Sequence, residues 1–133
     1  MSAQNRVRIV IVDDHDGLRM AIRNLLESRL EFEICGEAKD GAAGVQKVAE
    51  LKPDVVILNI VMPVMDGFEA ARQIIAVSPH SRIVMLSSHT DKLLLEEARN
   101  VGAVCYVPKS DDAEHELIEA VKAAAGGESS ALV

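Results

Sequence analysis

Two adjacent acids, Asp13 and Asp14, an amide at Asn59, a hydroxyl at Ser87 and an ammonium at Lys109 are the residue types in this chain that could together handle a divalent cation and a phosphoryl group. Mg²⁺ takes hard oxygen ligands in an octahedron and keeps several waters. Paired carboxylates, a third side-chain oxygen and a backbone carbonyl therefore make a suitable partial shell. Asp13, Asp14, Asn59 and the Val61 carbonyl are the candidate set. Lys109, a point charge on a flexible stem, suits a phosphoryl oxygen or, at rest, the carboxylates. Ser87 can donate its hydroxyl to the same group. Plainer roles exist for each: the acids can cap the next helix, although Asp16 is better placed for that, and Lys109 can be a solvated surface lysine. The acid pair, Asn59, Ser87 and Lys109 are far apart in the chain, so the chemistry depends on the elements that carry them.

Those elements alternate between strand and helix. Arg8 to Val12 is a β-branched run, followed after Asp16 by a helical stretch with Leu18, Ile22, Leu25 and Leu26 on one face. Phe32 to Ala38 is a second strand, and Gly41 to Leu51 a second helix with Val45, Val48 and Ala49 at helical spacing, stopped by Lys52-Pro53-Asp54. Val55 to Leu58 is apolar without alternation, as expected of a central strand covered on both faces. Asp66-Gly67 opens a helix with the stripe Phe68, Ala71, Ile74 and Ile75, and Ile83 to Leu86 is the fourth strand. Leu93 to Val101 is helical and ends at Gly102, and Ala103 to Val107 is the fifth strand. Asp111 or Asp112 is expected to cap a last helix carrying Leu117, Ile118, Val121 and Ala125, closed by Gly126-Gly127. Five strand-helix units predict an α/β doubly wound parallel sheet with helices on both faces, because parallel strands need right-handed crossovers. Ligands then belong at the carboxyl ends of the strands, which is where the five polar positions fall.

Composition narrows the function. The chain has 133 residues, 49% of them hydrophobic, which is the size of one domain with a real core. A formal charge of −7 repels polyanions, so direct nucleic-acid binding is not expected. No apolar run approaches the roughly 20 residues that span a bilayer, and the polar start Met1 to Arg6 is not a signal peptide. A cytoplasmic protein without a membrane partner is the expectation. Cys35 and Cys105 lie in apolar segments, where free thiols pack as small hydrophobes.

With these residues in place, the chain resembles the response-regulator receiver domain, the chemotaxis-type phosphoacceptor module of two-component signalling. The resemblance covers residues 7 to 125 and rests on Asp13-Asp14, on Asp54-Val55-Val56-Ile57-Leu58-Asn59-Ile60-Val61-Met62-Pro63-Val64-Met65-Asp66-Gly67, on Ser87, and on Tyr106-Val107-Pro108-Lys109. It implies a flavodoxin-like strand order of 2-1-3-4-5, Mg²⁺ in the acidic pocket and phosphoryl transfer from a histidine kinase or a small phosphodonor. It implies a switch in which Tyr106 swings between exposed and buried positions as Ser87 moves, read by a downstream effector or a homodimer through residues 90–125. It also puts Cys35 and Cys105 on opposite sheet edges, too far apart for a disulfide. Residues 1–125 would be the receiver and 126–133 a tail or linker; no helix-turn-helix follows, so a truncated piece and a single-domain regulator both remain open.

The departure is Asn59, which stands where the family's pattern has the phosphoacceptor aspartate. An amide cannot be the nucleophile that forms an acyl phosphate, so the domain as written is not phosphorylatable at that position. Mg²⁺ affinity should be weakened but not abolished, since one unit of negative charge is lost. The alternatives are a natural pseudo-receiver that binds protein partners without phosphorylation, and a replaced aspartate that locks the resting state. Leu93, Leu94 and Leu95 are consecutive, so at least one is expected to be exposed.

Rival classes fit less well. There is no glycine-rich phosphate loop for flavin or nucleotide chemistry. The cobalamin signature D-x-H-x-x-G begins at Asp13-Asp14-His15, but Leu18 takes the glycine position. A transition-metal cluster of Asp13, Asp14, His15 and Asp16 fails because consecutive residues rarely point at one ion. His80, His89 and His115 show no ligand spacing and read as surface residues; His89, two residues past Ser87, would border the mouth of the pocket. The β-branched Ile60 after Asn59 hinders ring closure onto the carboxamide. Mass spectrometry of aged protein is therefore expected to show no gain of mass at Asn59; a deamidated species there would contradict this.

Overall fold

A computed structural model describes residues 6–88, 91–109 and 113–127. The described elements run β1 (Val7–Val12), α1 (Asp16–Glu27), β2 (Phe32–Ala38), α2 (Gly41–Leu51), β3 (Val55–Asn59), α3 (Gly67–Val77), β4 (Arg82–Ser87), α4 (Lys92–Asn100), β5 (Cys105–Pro108) and α5 (Ala113–Ala125). The strands form one five-stranded sheet in the order β2-β1-β3-β4-β5, with every neighbouring pair parallel. The flavodoxin-like order expected from the resemblance is the one observed.

Alternation along the strands divides the core into two layers. Val10, Val12, Val56, Leu58, Ile83, Met85 and Tyr106 cluster with Val48, Ala71, Ile74 and Ala98, so α2, α3 and α4 cover that face. Ile9, Ile11, Val55, Ile57, Val84, Leu86 and Val107 cluster with Ile22, Leu26, Leu117 and Val121 of α1 and α5. Every residue of β3 is buried, which is why its sequence shows no polar alternation. The register slips between Ile9 and Val10, leaving Cys35 as the extra residue of β2. β2 and β5 are the two outer strands, and neither Cys35 nor Cys105 is in a disulfide.

Helix starts follow capping chemistry. Asp40, Asp66 and Asp91 accept from the backbone N–H of Ala43, Glu69 and Leu93 at 2.8, 3.0 and 2.8 Å. α1 departs from expectation. Its N-cap is His15, without a side-chain cap bond, and Asp16 is the first helical residue, ion-paired to Arg19 at 2.7 Å. In α5 the inward residue of the last turn is Ala124, not Ala125, which is exposed. The expected caps Asp111 and Asp112 lie outside the described residues.

Close backbone approach sets one glycine beneath the end of β3. A Cβ on Gly67 would lie 2.5 Å from the Asn59 carbonyl oxygen and 2.7 Å from Ile60 Cα, while the Gly67 N–H donates to Ile60 O at 2.7 Å. Backbone on both sides cannot yield. Gly67→Ala is therefore expected to lower unfolding free energy by about 2–4 kcal/mol in urea titration. Gly17→Ala, whose Cβ would meet only the His15 ring at 3.9 Å in the first turn of α1, is expected to be neutral or stabilising by up to ~1 kcal/mol. Equal losses for the two would contradict the close-approach argument.

Candidate functional site

Asp13 follows β1 with its side chain 2% exposed. Its backbone is clamped: its N–H donates to Ala38 O at 3.1 Å, and Arg19 Nη1 donates to its carbonyl at 2.8 Å. Arg19 is held in turn by Asp16 at 2.7 Å and Glu37 at 3.0 Å. Asp13 Oδ1 accepts from the His15 N–H at 2.8 Å, whereas Oδ2 is buried with no hydrogen-bond partner among the described residues. Asn59 ends β3, paired in register with Leu86, and is only 6% exposed. Ser87 ends β4, buried, and its carbonyl accepts from the Lys109 N–H at 2.7 Å, which ties the segment after β5 to β4.

The side chains of Asp13, Asp14, Asn59 and Lys109 meet. Lys109 Nζ donates to Asn59 Oδ1 at 3.0 Å and lies 3.8 Å from Asp13 Oδ2. Asn59 Nδ2 donates to Asp14 Oδ1 at 3.2 Å and to the Val61 carbonyl at 2.8 Å. The partners fix which end of the amide is which. A flipped carboxamide would set N–H groups against the Lys109 ammonium and an oxygen against both a carboxylate and a carbonyl.

The sequence of residues 9–122 matches the family described as the response regulator receiver domain. The chain belongs to that family. Among curated relatives, the receiver is 37% identical over 122 residues to the transcriptional regulatory protein LiaR of Bacillus subtilis, covering 92% of this chain and 57% of that protein. It spans about half the length of the curated relatives it matches, at 57% and 52% of two of them. Among solved structures, the signal receiver domain of the putative response regulator NarL from Mycobacterium tuberculosis superposes with a TM-score of 0.88 at 31% identity, covering 93% of this chain and 99% of that one. A chain of the CheX-CheY-BeF3-Mg²⁺ complex from Borrelia burgdorferi is similar at a TM-score of 0.80 and 26% identity, covering 86% of each chain.

The receiver's donor set fits a hard divalent cation in part. The orphaned Asp13 Oδ2, the Asp14 carboxylate and the Val61 carbonyl are oxygens of the kind Mg²⁺ takes. The Asn59 oxygen, expected to complete that shell, instead accepts from Lys109, because an ammonium is the stronger donor within reach. Tyr106, which the resemblance implies swings between exposed and buried positions, is 3% exposed and packs in the layer that α4 covers. His89 lies outside the described residues; His80 and His115 are exposed. No helix is long and apolar enough to cross a membrane among the described residues.

Two features escaped the sequence reading. Arg19 buttresses Asp13 from α1; its spacing from Asp16 signalled the ion pair but not the reach to Asp13 O. Val64 has φ +71° and is 86% exposed, and the Met65 N–H donates to Pro63 O at 2.7 Å across it, a γ-turn that a β-branched residue adopts only under strain.

Burial pushes the Asp13 carboxyl up from its ordinary value, against the His15 N–H and the Lys109 charge, which draw it down. A carboxyl raised on folding contributes stability that is complete below its unfolded value of 3.8 and is lost as pH rises through the folded value. Ionised Asp13 therefore detracts from stability at neutral pH. In metal-free buffer Asp13→Asn is expected to raise the Tm at pH 7 by roughly 2–5 °C, with the gain shrinking as pH falls toward 3.8. A lower Tm for Asp13→Asn at pH 7 would show that the Lys109 attraction outweighs burial.

Proposed function

We propose that this chain is a receiver silent to phosphorylation at position 59, and that it signals through partner binding instead of acyl-phosphate formation. The observation that carries this reading is the carboxamide of Asn59 at the centre of the cleft, bonded to Lys109 on one side and Asp14 on the other. A carboxylate there would attack phosphorus in line, forming an O–P bond as the donor's leaving group departs. Bound Mg²⁺, held by Asp13, Asp14 and the Val61 carbonyl, would supply charge neutralisation for that step. Lys109 and the Ser87 hydroxyl would meet the phosphoryl oxygens. The carboxamide has neither the charge nor the nucleophilicity to begin the step.

Support for a metal site of this kind comes from the similar CheY structure, whose description names both BeF3 and Mg²⁺. With the acceptor absent, the bias between two conformations comes from whatever binds one of them better. The face for that contact is α4, β5 and α5 within residues 90–125, where Leu93 is 73% exposed on α4 while Tyr106 of β5 is buried. A histidine kinase, a downstream effector or a second copy of the chain would be read there without phosphate. The domain itself is not an enzyme, sits in the cytoplasm and makes no nucleic-acid contact, in keeping with its charge of −7. Residues 126–133 serve as tail or linker. A pseudo-receiver that works by protein binding alone is the natural form of this reading; a replaced aspartate is its engineered form.

Incubation with acetyl phosphate or phosphoramidate and Mg²⁺, followed by intact mass, is expected to label Asn59→Asp and leave the unaltered chain at its starting mass. By calorimetry Asn59→Asp is expected to bind Mg²⁺ about tenfold or more tightly than the unaltered chain. Labelling of the unaltered chain would refute the silent-receiver reading, and labelling of neither would favour the pseudo-receiver form.

A further inference from the structure

Charge arithmetic alone treats Asn59 as a poorer metal ligand than aspartate. The hydrogen-bond geometry says something different. Both N–H bonds of the carboxamide are spent on oxygens of the candidate metal shell, Asp14 Oδ1 at 3.2 Å and the Val61 carbonyl at 2.8 Å, and its oxygen is spent on Lys109 at 3.0 Å. A bound cation would draw on the same two oxygens. To bind Mg²⁺ through its oxygen, Asn59 would have to rotate, release Lys109 and turn its N–H groups toward that ammonium, where donor meets donor.

We propose that the Asn59 carboxamide takes the cation's place: its N–H groups hold Asp14 and the Val61 carbonyl, its oxygen holds Lys109, and Mg²⁺ must displace this residue instead of being ligated by it. The cleft thereby rests in one connected arrangement without an ion. Asp13 Oδ2 is left over as the buried oxygen that the amide does not reach. This rests on the silent-receiver reading and gives it a physical content: position 59 is a lock that makes the resting cleft independent of metal, in addition to being a missing nucleophile.

The two views predict opposite signs for one substitution. If Asn59 is a weak ligand, Asn59→Ala removes a ligand and the Mg²⁺ response falls further. If Asn59 is the stand-in, Asn59→Ala frees Asp14 and the Val61 carbonyl, and the response rises. Thermal midpoints of the full chain, Asn59→Ala and Asn59→Asp are to be compared in chelator and in excess Mg²⁺. Without metal, Asn59→Ala is expected to melt below the unaltered chain. With Mg²⁺ it should gain about 3 °C or more, Asn59→Asp should gain most, and the unaltered chain should hardly move. A Mg²⁺ shift for the unaltered chain equal to or larger than that of Asn59→Ala overturns the proposal. No Mg²⁺ response from Asn59→Asp would instead bring down the receiver-cleft reading beneath it.

A second measurement needs no destabilised variant. The side-chain NH2 cross-peak of Asn59 in the unaltered chain is expected to stay unshifted at Mg²⁺ concentrations that saturate Asn59→Asp. A cross-peak that titrates with the same midpoint as Asn59→Asp would place the metal on this side chain and overturn the proposal.

Discussion

The carboxamide of Asn59 bridges an ammonium and a carboxylate that are 95 residues apart from each other in chain order between Asp14 and Lys109, and the rest of the edge is arranged around that bridge. Its position follows from a constraint on the whole sheet. With helices on both faces, a parallel strand can keep polar side chains only at its ends, so Asp13, Asn59 and Ser87 gather where β1, β3 and β4 finish. Three buried polar residues at one edge would be costly without partners. Asn59 finds its own in Asp14, the Val61 carbonyl and Lys109, three contacts of matched polarity, and the residual cost falls on Asp13 Oδ2.

The scaffold that holds this edge is tight at the backbone. Gly67 lets α3 begin against the Asn59 and Ile60 backbone, and Asp66 caps it. Between β3 and α3 the chain turns through the strained Val64, and the Val61 carbonyl accepts from Asn59. On the other side Arg19 fastens the Asp13 carbonyl to α1 and to Glu37 of β2. The site is thus built from strand ends but positioned by contacts with three different elements. Tyr106, buried in the layer that α4 covers, lies on the strand that leads into Lys109.

Family and fold were legible because their signals are local or periodic. The unbroken apolar run of β3, the Asp66-Gly67 start of α3, and the boundaries of β2 and α2 agree with expectation. Where expectation failed, longer-range competition decided. Asp16 lost the cap position of α1 because Arg19 draws its carboxylate into an ion pair. Ala125 yielded to Ala124 because the packing of α5 on the sheet selects the stripe, and alanines carry too little apolar area to declare it. No such reversal applies to Tyr106, which alternation along β5 assigns to the α4 face, with Cys105 and Val107 on the other.

Residue identity by itself determined that position 59 cannot be a nucleophile: an amide lacks the charge whatever surrounds it. It also determined the strand-helix alternation, since hydrophobic period and capping chemistry act within a few residues. Which way the amide points was settled only by the folded chain. Orientation depends on donors and acceptors brought in from Asp14, Val61 and Lys109, and only the packed sheet edge sets them within hydrogen-bonding distance on opposite sides of one side chain.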